Sequence, residues 1–252
     1  MKTVNKLLSL FGLRLSRTKQ IDNKEMEFRR KYRDYFEQVK NNKRGFKVYE
    51  EYRYDIGDHP MQQIHFESEF SAYHLHKSNA AKVLDIGSSR VFVLGLLAHY
   101  DVTTLDIRDR KTILDNETVV TCDAKSLDFP DNSFDAALFL QSLPHFGLGR
   151  YGDEFDLDGD IKAFSEITRV IKPDGTLIFS LAMTGGEASI AFNARRNYNY
   201  ESIQKLCEGL DCVEEKFFNR RDLRFCTLEE LTTDPTSFDY YLGCWKNRKT
   251  NT

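Results

Sequence analysis

From residue 65 to residue 247, short apolar runs alternate with longer stretches of helical period, which predicts strands and helices in turn. The clearest run is KVLDIGSSR, residues 82–90, where two apolar residues, Asp85, one more apolar residue and Gly87 make a short buried strand. Its glycine marks a turn where the backbone comes close to a ligand. A helix over residues 65–80 precedes this strand, and the almost wholly apolar VFVLGLLAHY after it predicts a helix buried against a sheet. DVTTLDI is a second strand ending in Asp106, TVVTCDA a third with Asp123 at its tip, and DFPDNSFDAALFLQSLPH a turn leading into a fourth that ends near Gln141. KPDG is a turn into a fifth, TLIFSLAM. Helices are expected over residues 161–171 and 201–210, and CVEEKFFNR and FDYYLGCWKN close the sheet as an antiparallel pair. Such alternation is the pattern of an α/β domain with a parallel sheet, whose ligands sit beyond the carboxyl ends of the strands where strand order reverses.

Ahead of this region the pattern changes. Residues 20–45 are highly charged, with Met26, Phe28, Tyr32, Tyr35 and Phe36 at near-helical spacing, and predict a surface helix whose aromatic stripe packs rather than binds. Residues 46–60 have no clear period and are expected to form a loop across the ligand site. Two parts follow, a helical extension over residues 1–60 and one large domain over residues 61–252.

Composition agrees with this division. A chain of 252 residues with 40% hydrophobic content is long enough for one α/β domain with a substantial core. A net charge of −3 and a pI near 6.1 give no strong field for nucleic acid or an anionic membrane. The five cysteines are scattered without a C-x-x-C pair and read as reduced thiols of a cytoplasmic protein. The opening MKTVNKLLSLFGLRLS is well short of the ~20 residues that span a bilayer. It is expected to pack on the domain or on a second subunit, giving a homo-oligomer through the N-terminal helices, with peripheral contact at the inner membrane as the second reading.

The acid and glycine at Asp85 and Gly87, the acid Asp106, the Asp123–Ala124 pair, the F-P-D-x-S-F-D approach to strand four and the KPDG turn resemble class I S-adenosylmethionine-dependent methyltransferases over residues 65–247. HFGLGRYGDEFDLDGDIKAFSEITRVIKPDG and FNARRNY resemble, more narrowly, bacterial methyltransferase-like proteins found among capsule and O-antigen sugar genes. The resemblance implies a doubly wound, mostly parallel, seven-stranded Rossmann-like sheet. It implies S-adenosylmethionine held by Asp85, Gly87, Ser88, Asp106, Ile107, Asp123, Ala124 and Gln141, with Asp106 accepting from the ribose hydroxyls and Asp123 from the adenine amino group. The implied reaction is O-methylation of a sugar or glycan precursor, nucleotide-activated, in surface polysaccharide biosynthesis.

One departure is visible at the first turn, where Ser88, Ser89 and Arg90 stand in place of the second glycine of D-x-G-x-G. Serine hydroxyls can hydrogen-bond a carboxylate, but the backbone has less room. The same departure argues against a dinucleotide, since the next glycine after Gly87 is Gly95. Two other readings stay open: a binding or regulatory protein that keeps the fold without turnover, and a methyltransferase of another small molecule. A nucleic-acid methyltransferase is disfavoured by the acidic pI and by the lack of N/D-P-P-Y/F after strand four.

The loop PHFGLGRYGDEFDLDGD is unusually rich in polar residues for a connection. His145, just past strand four, is the candidate base or hydroxyl orienter; the competing reading is a brace for the loop. Arg150, Tyr151 and Asp153, with Asn193, Arg195 and Arg196 from the later loop TGGEASIAFNARRNY, are candidate acceptor contacts, the arginines for an anionic group. The loop carboxylates and His145 leave a divalent metal open and unassigned. The calcium-loop pattern fails because the sixth residue from Asp156 is Ile161 and not glycine. His74 and His76 point to different faces of their helix and read as structural or surface residues. His65, Phe66 and Glu67 are read either as an ordinary first turn or as residues brought over the cofactor.

Overall fold

The computed structural model describes residues 23–42, 44–54, 61–111, 114 and 117–248. The chain divides into two compact units, Met1–Pro60 and Met61–Thr252.

In the first unit α1 (Asn23–Asn41) buries no residue of its own. Its aromatic stripe meets rings of the following segment, Phe28 against Tyr54 at 5.1 Å and Tyr32 against Tyr52 at 5.0 Å. Glu25–Arg29 and Glu27–Lys31 pairs one turn apart support the exposed face. Residues 46–54 carry no regular secondary structure. The opening residues expected to form an amphipathic helix lie outside the described residues.

In the second unit α2 (Gln63–Lys77) leads to β1 (Lys82–Ile86), α3 (Arg90–Leu96), β2 (Asp101–Asp106), β3 (Thr118–Thr121) and β4 (Phe134–Leu140). Then come α4 (Gly159–Val170), β5 (Ile171–Met183), a hairpin of β6 (Ser189–Ala191) and β7 (Arg195–Asn197), α5 (Tyr200–Leu206), β8 (Leu210–Asn219), β9 (Arg224–Cys226) and β10 (Asp239–Asn247). The main sheet runs β3-β2-β1-β4-β5-β10-β8-β9. Its first five strands are parallel, and β10, β8 and β9 are added antiparallel. Seven strands were expected and eight are present, the extra one being the three-residue β9, too short to show a period of its own.

Buried residues on the two faces separate into two cores, as a sheet covered by helices on both sides requires. On one face α4 packs through Ala163, Phe164 and Ile167 with Leu84, Phe139, Phe179 and Tyr241. On the other α2 and α3 pack through Phe70, Leu75, Val93 and Leu96 with Val83, Leu138, Ile178 and Leu242. Strand β10 shows how neighbouring side chains fit. Residues 241, 243 and 245 share a face, and Gly243 leaves the gap in which Trp245 Nε1 donates to the Tyr241 hydroxyl at 2.9 Å. The KPDG turn appears as an excursion within β5. The pairing jumps from Phe134–Ile171 to Ala136–Thr176, and Asp174 adopts φ 60°. Gly175 returns the strand where a Cβ would lie 2.9 Å from the Asp135 carbonyl. His74 is buried on α2, 2.9 Å from Glu214.

Candidate functional site

Strand order reverses between β1 and β4, so the carboxyl ends of the parallel strands open a crevice there. One cleft of about 590 Å³ of empty space, part of it open to solvent, occupies this edge. The tips of β1 to β4 supply Gly87, Asp106 with Ile107, Asp123 with Ala124, and Gln141; the loop after β4 supplies His145, Tyr151 and Asp153.

The first turn holds its shape through close approach. Gly87 has φ 70°, and a Cβ there would lie 3.2 Å from Ser142 Cβ. Asp85 lies beneath the turn rather than in the cleft wall, fully buried, with neither carboxylate oxygen at good hydrogen-bonding geometry. Burial pushes its carboxyl up to about 7, against a partial opposing pull from Ser88 and Arg110. Ser88 is buried too, its hydroxyl accepting from Leu140 N at 3.3 Å, so it ties the turn to β4. Arg90, at the start of α3, is paired with Glu117 just before β3.

Asp106 is the most heavily engaged acid of the edge. Arg108 grips both its oxygens, Nε to Oδ1 and Nη2 to Oδ2 each at 2.9 Å, and Arg110 adds a contact at 3.2 Å. Burial opposes ionisation, but these hydrogen bonds outweigh it and hold the carboxyl below its ordinary range. Asp123 is more open, and accepts from Lys125 N at 2.9 Å. Gln141 adopts φ 57° and its side chain bears on the buried Glu67 carboxyl, while the neighbouring Ser142 Oγ, in a cleft-lining residue, is buried without a hydrogen-bond partner. An unpaired donor beside a cleft is what a ligand would satisfy.

His145 is held by the β6–β7 hairpin and by Arg150 of its own loop. Its Nδ1 lies 2.6 Å from the Ala194 carbonyl, and Arg150 Nη1 donates to the same oxygen at 2.9 Å. That hydrogen bond assigns the proton to Nδ1 and leaves the Nε2 lone pair as the acceptor. Burial, with Arg150 and Arg195 nearby, lowers its pKa to about 4 despite the Ala194 carbonyl. Tyr151 stands edge-on to His145 at 5.6 Å between the guanidinium groups of Arg108 and Arg150, 4.6 and 5.1 Å from its ring.

Other candidates do not gather at the cleft. Arg196 is buried and braces the loop, donating to the Phe146 carbonyl at 2.6 Å and the Leu157 carbonyl at 2.8 Å, with Asp160 at 3.3 Å. It is therefore no substrate contact in this structure, a correction that follows from its burial. Asp153 reaches the cleft wall, but its carboxylate accepts from the backbone of Gly147, Gly149 and Tyr151, so it too braces the loop. Asn193 is exposed at the end of the β6–β7 hairpin. Arg195 lies over the Phe238 ring at 3.9 Å. Two further loop carboxylates have partners of their own: Asp156 pairs with Lys162, and Asp160 accepts from the Tyr198 hydroxyl at 2.6 Å. Among the described residues no group of three acids, histidines or cysteines stands together as a metal site.

Of the first turn of α2, His65 Nδ1 accepts from Gln62 N at 3.3 Å as a local cap, and Phe66 packs on Phe218. Glu67 points inward and accepts from the Ser180 hydroxyl at 2.8 Å, its carboxyl raised by burial. Arg108, Cys122 and Ser142 also line the cleft and carry no motif of their own. Arg108 is the one a local signal could have found, two residues from Asp106 and within reach of it.

Among the described residues no helix is long and apolar enough to cross a membrane. In structure the chain is similar to Burkholderia thailandensis 1,6-didemethyltoxoflavin-N1-methyltransferase, solved with S-adenosylhomocysteine, at 16% identity and TM-score 0.56 over 89% of this chain and 90% of that one. It is also similar to the N-methyltransferase NodS of Bradyrhizobium japonicum WM9, solved with S-adenosylhomocysteine, at 17% identity and TM-score 0.52 over 73% and 87%. The [4+2]-cyclase SpnF matches at 16% identity and TM-score 0.54 over 73% and 81%. The shared property is the class I methyltransferase fold. No curated protein matches the chain in sequence. A family model described as "Caenorhabditis protein of unknown function, DUF268" matches residues 81–236, more than half of the chain, and the chain belongs to that family.

Proposed function

We propose that the chain is an S-adenosylmethionine-dependent methyltransferase of a small molecule, and that its acceptor is a sugar hydroxyl, nucleotide-activated, of surface polysaccharide assembly. One observation carries the cofactor reading: four successive parallel strands bring Gly87, Asp106, Asp123 and Gln141 to one cleft at the switch point. These residues fit an adenosyl group. Carboxylates suit ribose hydroxyls and an adenine amino group, and the unpaired Ser142 Oγ is a donor awaiting an acceptor. The structural relatives solved with S-adenosylhomocysteine support the same choice.

Bound S-adenosylmethionine supplies an electrophilic methyl group on a sulfonium. In-line displacement asks the protein mainly to hold donor and acceptor about 3 Å apart and to manage one proton. His145, neutral with Nε2 free, can accept the hydrogen bond of an acceptor hydroxyl and aim its lone pair. A pKa near 4 makes it a weak base, so orientation is its main contribution and the proton moves on to solvent as the methyl group transfers. Sugar and polysaccharide chemistry rest on the resemblance of the GLGRYGD loop.

Titration calorimetry with S-adenosylhomocysteine on the wild type and Asp123→Ala tests the cofactor. Incubation with S-adenosylmethionine and a panel of nucleotide sugars, with and without divalent metal, tests the acceptor through a gain of one methyl mass. No heat in the first experiment would end the reading. A second reading, a protein that binds without turnover, draws on the Arg108 fork that occupies Asp106. Any methylated product removes it.

A further inference from the structure

Three cations of the site edge differ from most other arginines of this unit in their partners. Arg108 and Arg110 pair with Asp106, Arg90 with Glu117, and Arg169 with Glu166 and Asp131. Arg150, Arg195 and Arg220 form no ion pair among the described residues, although the fold brings them together. Arg195 comes from β7, Arg220 from the turn after β8, and Phe238 from the entry to β10, all at the edge where the parallel strands end. The Arg195 and Arg220 guanidinium carbons lie 3.9 and 4.5 Å from the centre of the same Phe238 ring. Arg150 reaches the Ala194 carbonyl, one residue from Arg195, and through it the His145 ring.

Acids of this edge do not neutralise the group. The Asp239 carboxylate accepts from Arg220 N at 2.8 Å and Thr232 N at 2.7 Å, and Glu67 is held by Ser180. Burial, then the charges of Arg220 and Arg150, lower the pKa of Arg195. Like charges without a counter-ion, with Arg195 half-buried among them, raise the energy of the empty site, and an anion relieves it. The Phe238 ring meanwhile holds both guanidinium groups close together, with the Arg220 side chain also hydrogen-bonded to Tyr240. Arg195 uses Nε on Asn197 Oδ1 at 2.9 Å, and its two terminal nitrogens have no partner among the described residues.

We propose that Arg195 and Arg220, both over the Phe238 ring, together with Arg150 beside His145, form a receptor for a doubly charged phosphate or carboxylate group. That this group belongs to the methyl acceptor rests on the function proposed above; the anion site itself does not. A diphosphate bound there would anchor one end of the acceptor and present the other to His145. The site deepens the acceptor assignment by naming Arg220 and Phe238 in place of Arg196.

Calorimetry at constant ionic strength with inorganic pyrophosphate, and separately with malonate, tests the site on the full chain. The same samples are titrated with S-adenosylhomocysteine. The wild type is expected to bind pyrophosphate saturably. Arg220→Gln, at an exposed position that should not disturb folding, should weaken it about tenfold, and Arg195→Gln/Arg220→Gln further, with unchanged affinity for S-adenosylhomocysteine. Binding of malonate in preference to pyrophosphate would assign the same receptor to a carboxylate. No saturable binding of either, or binding that Arg220→Gln leaves unchanged, overturns the proposal. Pyrophosphate binding that behaves as expected, without any heat from S-adenosylhomocysteine, retains the anion site and removes the methyltransferase reading instead.

Discussion

At the scale of single residues the charge state of His145 decides what it can do. With a pKa near 4 against an ordinary 6.5, it stays neutral down to mildly acidic pH. Turnover should therefore show no titration near pH 6.5 from this group, and a pH–rate profile with an acid limb centred there would assign a different environment to it. His145→Ala should lower turnover about 10²-fold with cofactor affinity nearly unchanged; equal loss of both would make the residue a brace. The depressed pKa also sets a stability window. Between about pH 6.5 and 4 the unfolded chain takes up a proton that the native ring does not, so this contribution falls as pH falls. Asp85 acts in the opposite sense. Its native pKa of about 7 lies above the ordinary 3.8, so native protein holds the extra proton between these values and stability falls as pH rises through them. Melting curves of the wild type and Asp85→Asn at pH 5 and pH 8 should show the difference moving in favour of the variant at pH 8. Arg108→Ala should free Asp106 and tighten S-adenosylhomocysteine binding; weaker binding would mean that Arg108 itself touches the ligand.

At the scale of elements the loop after β4 is built to keep one shape. Gly147 has φ 75°, and a Cβ there would lie 2.1 Å from the Asp156 carbonyl, while Arg196 clips Phe146 and Leu157 from the far side. Gly147→Ala should lower the melting temperature and raise the acceptor KM, with affinity for S-adenosylhomocysteine nearly unchanged. Arg196→Met, which leaves the buried Asp160 with the Tyr198 hydroxyl alone, should cost about 3 kcal/mol in denaturant unfolding, and Asp160→Asn in the same chain should recover part of it. Much of the element pattern is legible in the sequence because it is local. Strands β1 and β4 are short apolar runs, β2 is rich in β-branched residues and ends on an acid, and the excursion in β5 is written as KPDG. The burial of Arg196 and the meeting of Arg195, Arg220 and Phe238 are not legible, because they depend on strands brought together by pairing across the sheet. A hydrogen-bond acceptor for Arg196 is a backbone carbonyl some 40 to 50 positions away, which has no residue type to announce it.

For the whole molecule the fold is shared with enzymes of different chemistry, including a cyclase, so the scaffold fixes where a ligand sits rather than what happens to it. The unit Met61–Thr252 contains both cores and the whole cleft described above. A chain beginning at residue 61 should accordingly unfold in a single cooperative transition by circular dichroism, and a broad non-cooperative melt would show that the first unit is needed for folding. The sheet also ends abruptly on both sides. Its outermost strands are β3 and β9, of four and three residues, beside neighbours of up to ten. β9 pairs with β8 only over Phe217–Asn219, so the margin without a ladder partner among the described residues at this end is Leu210–Lys216 of β8, and its charges Asp211, Glu214, Glu215 and Lys216 discourage a foreign strand from zipping onto it. Any copy that continued this sheet into its own at this end would have to do so along that charged stretch, against the repulsion of its acids.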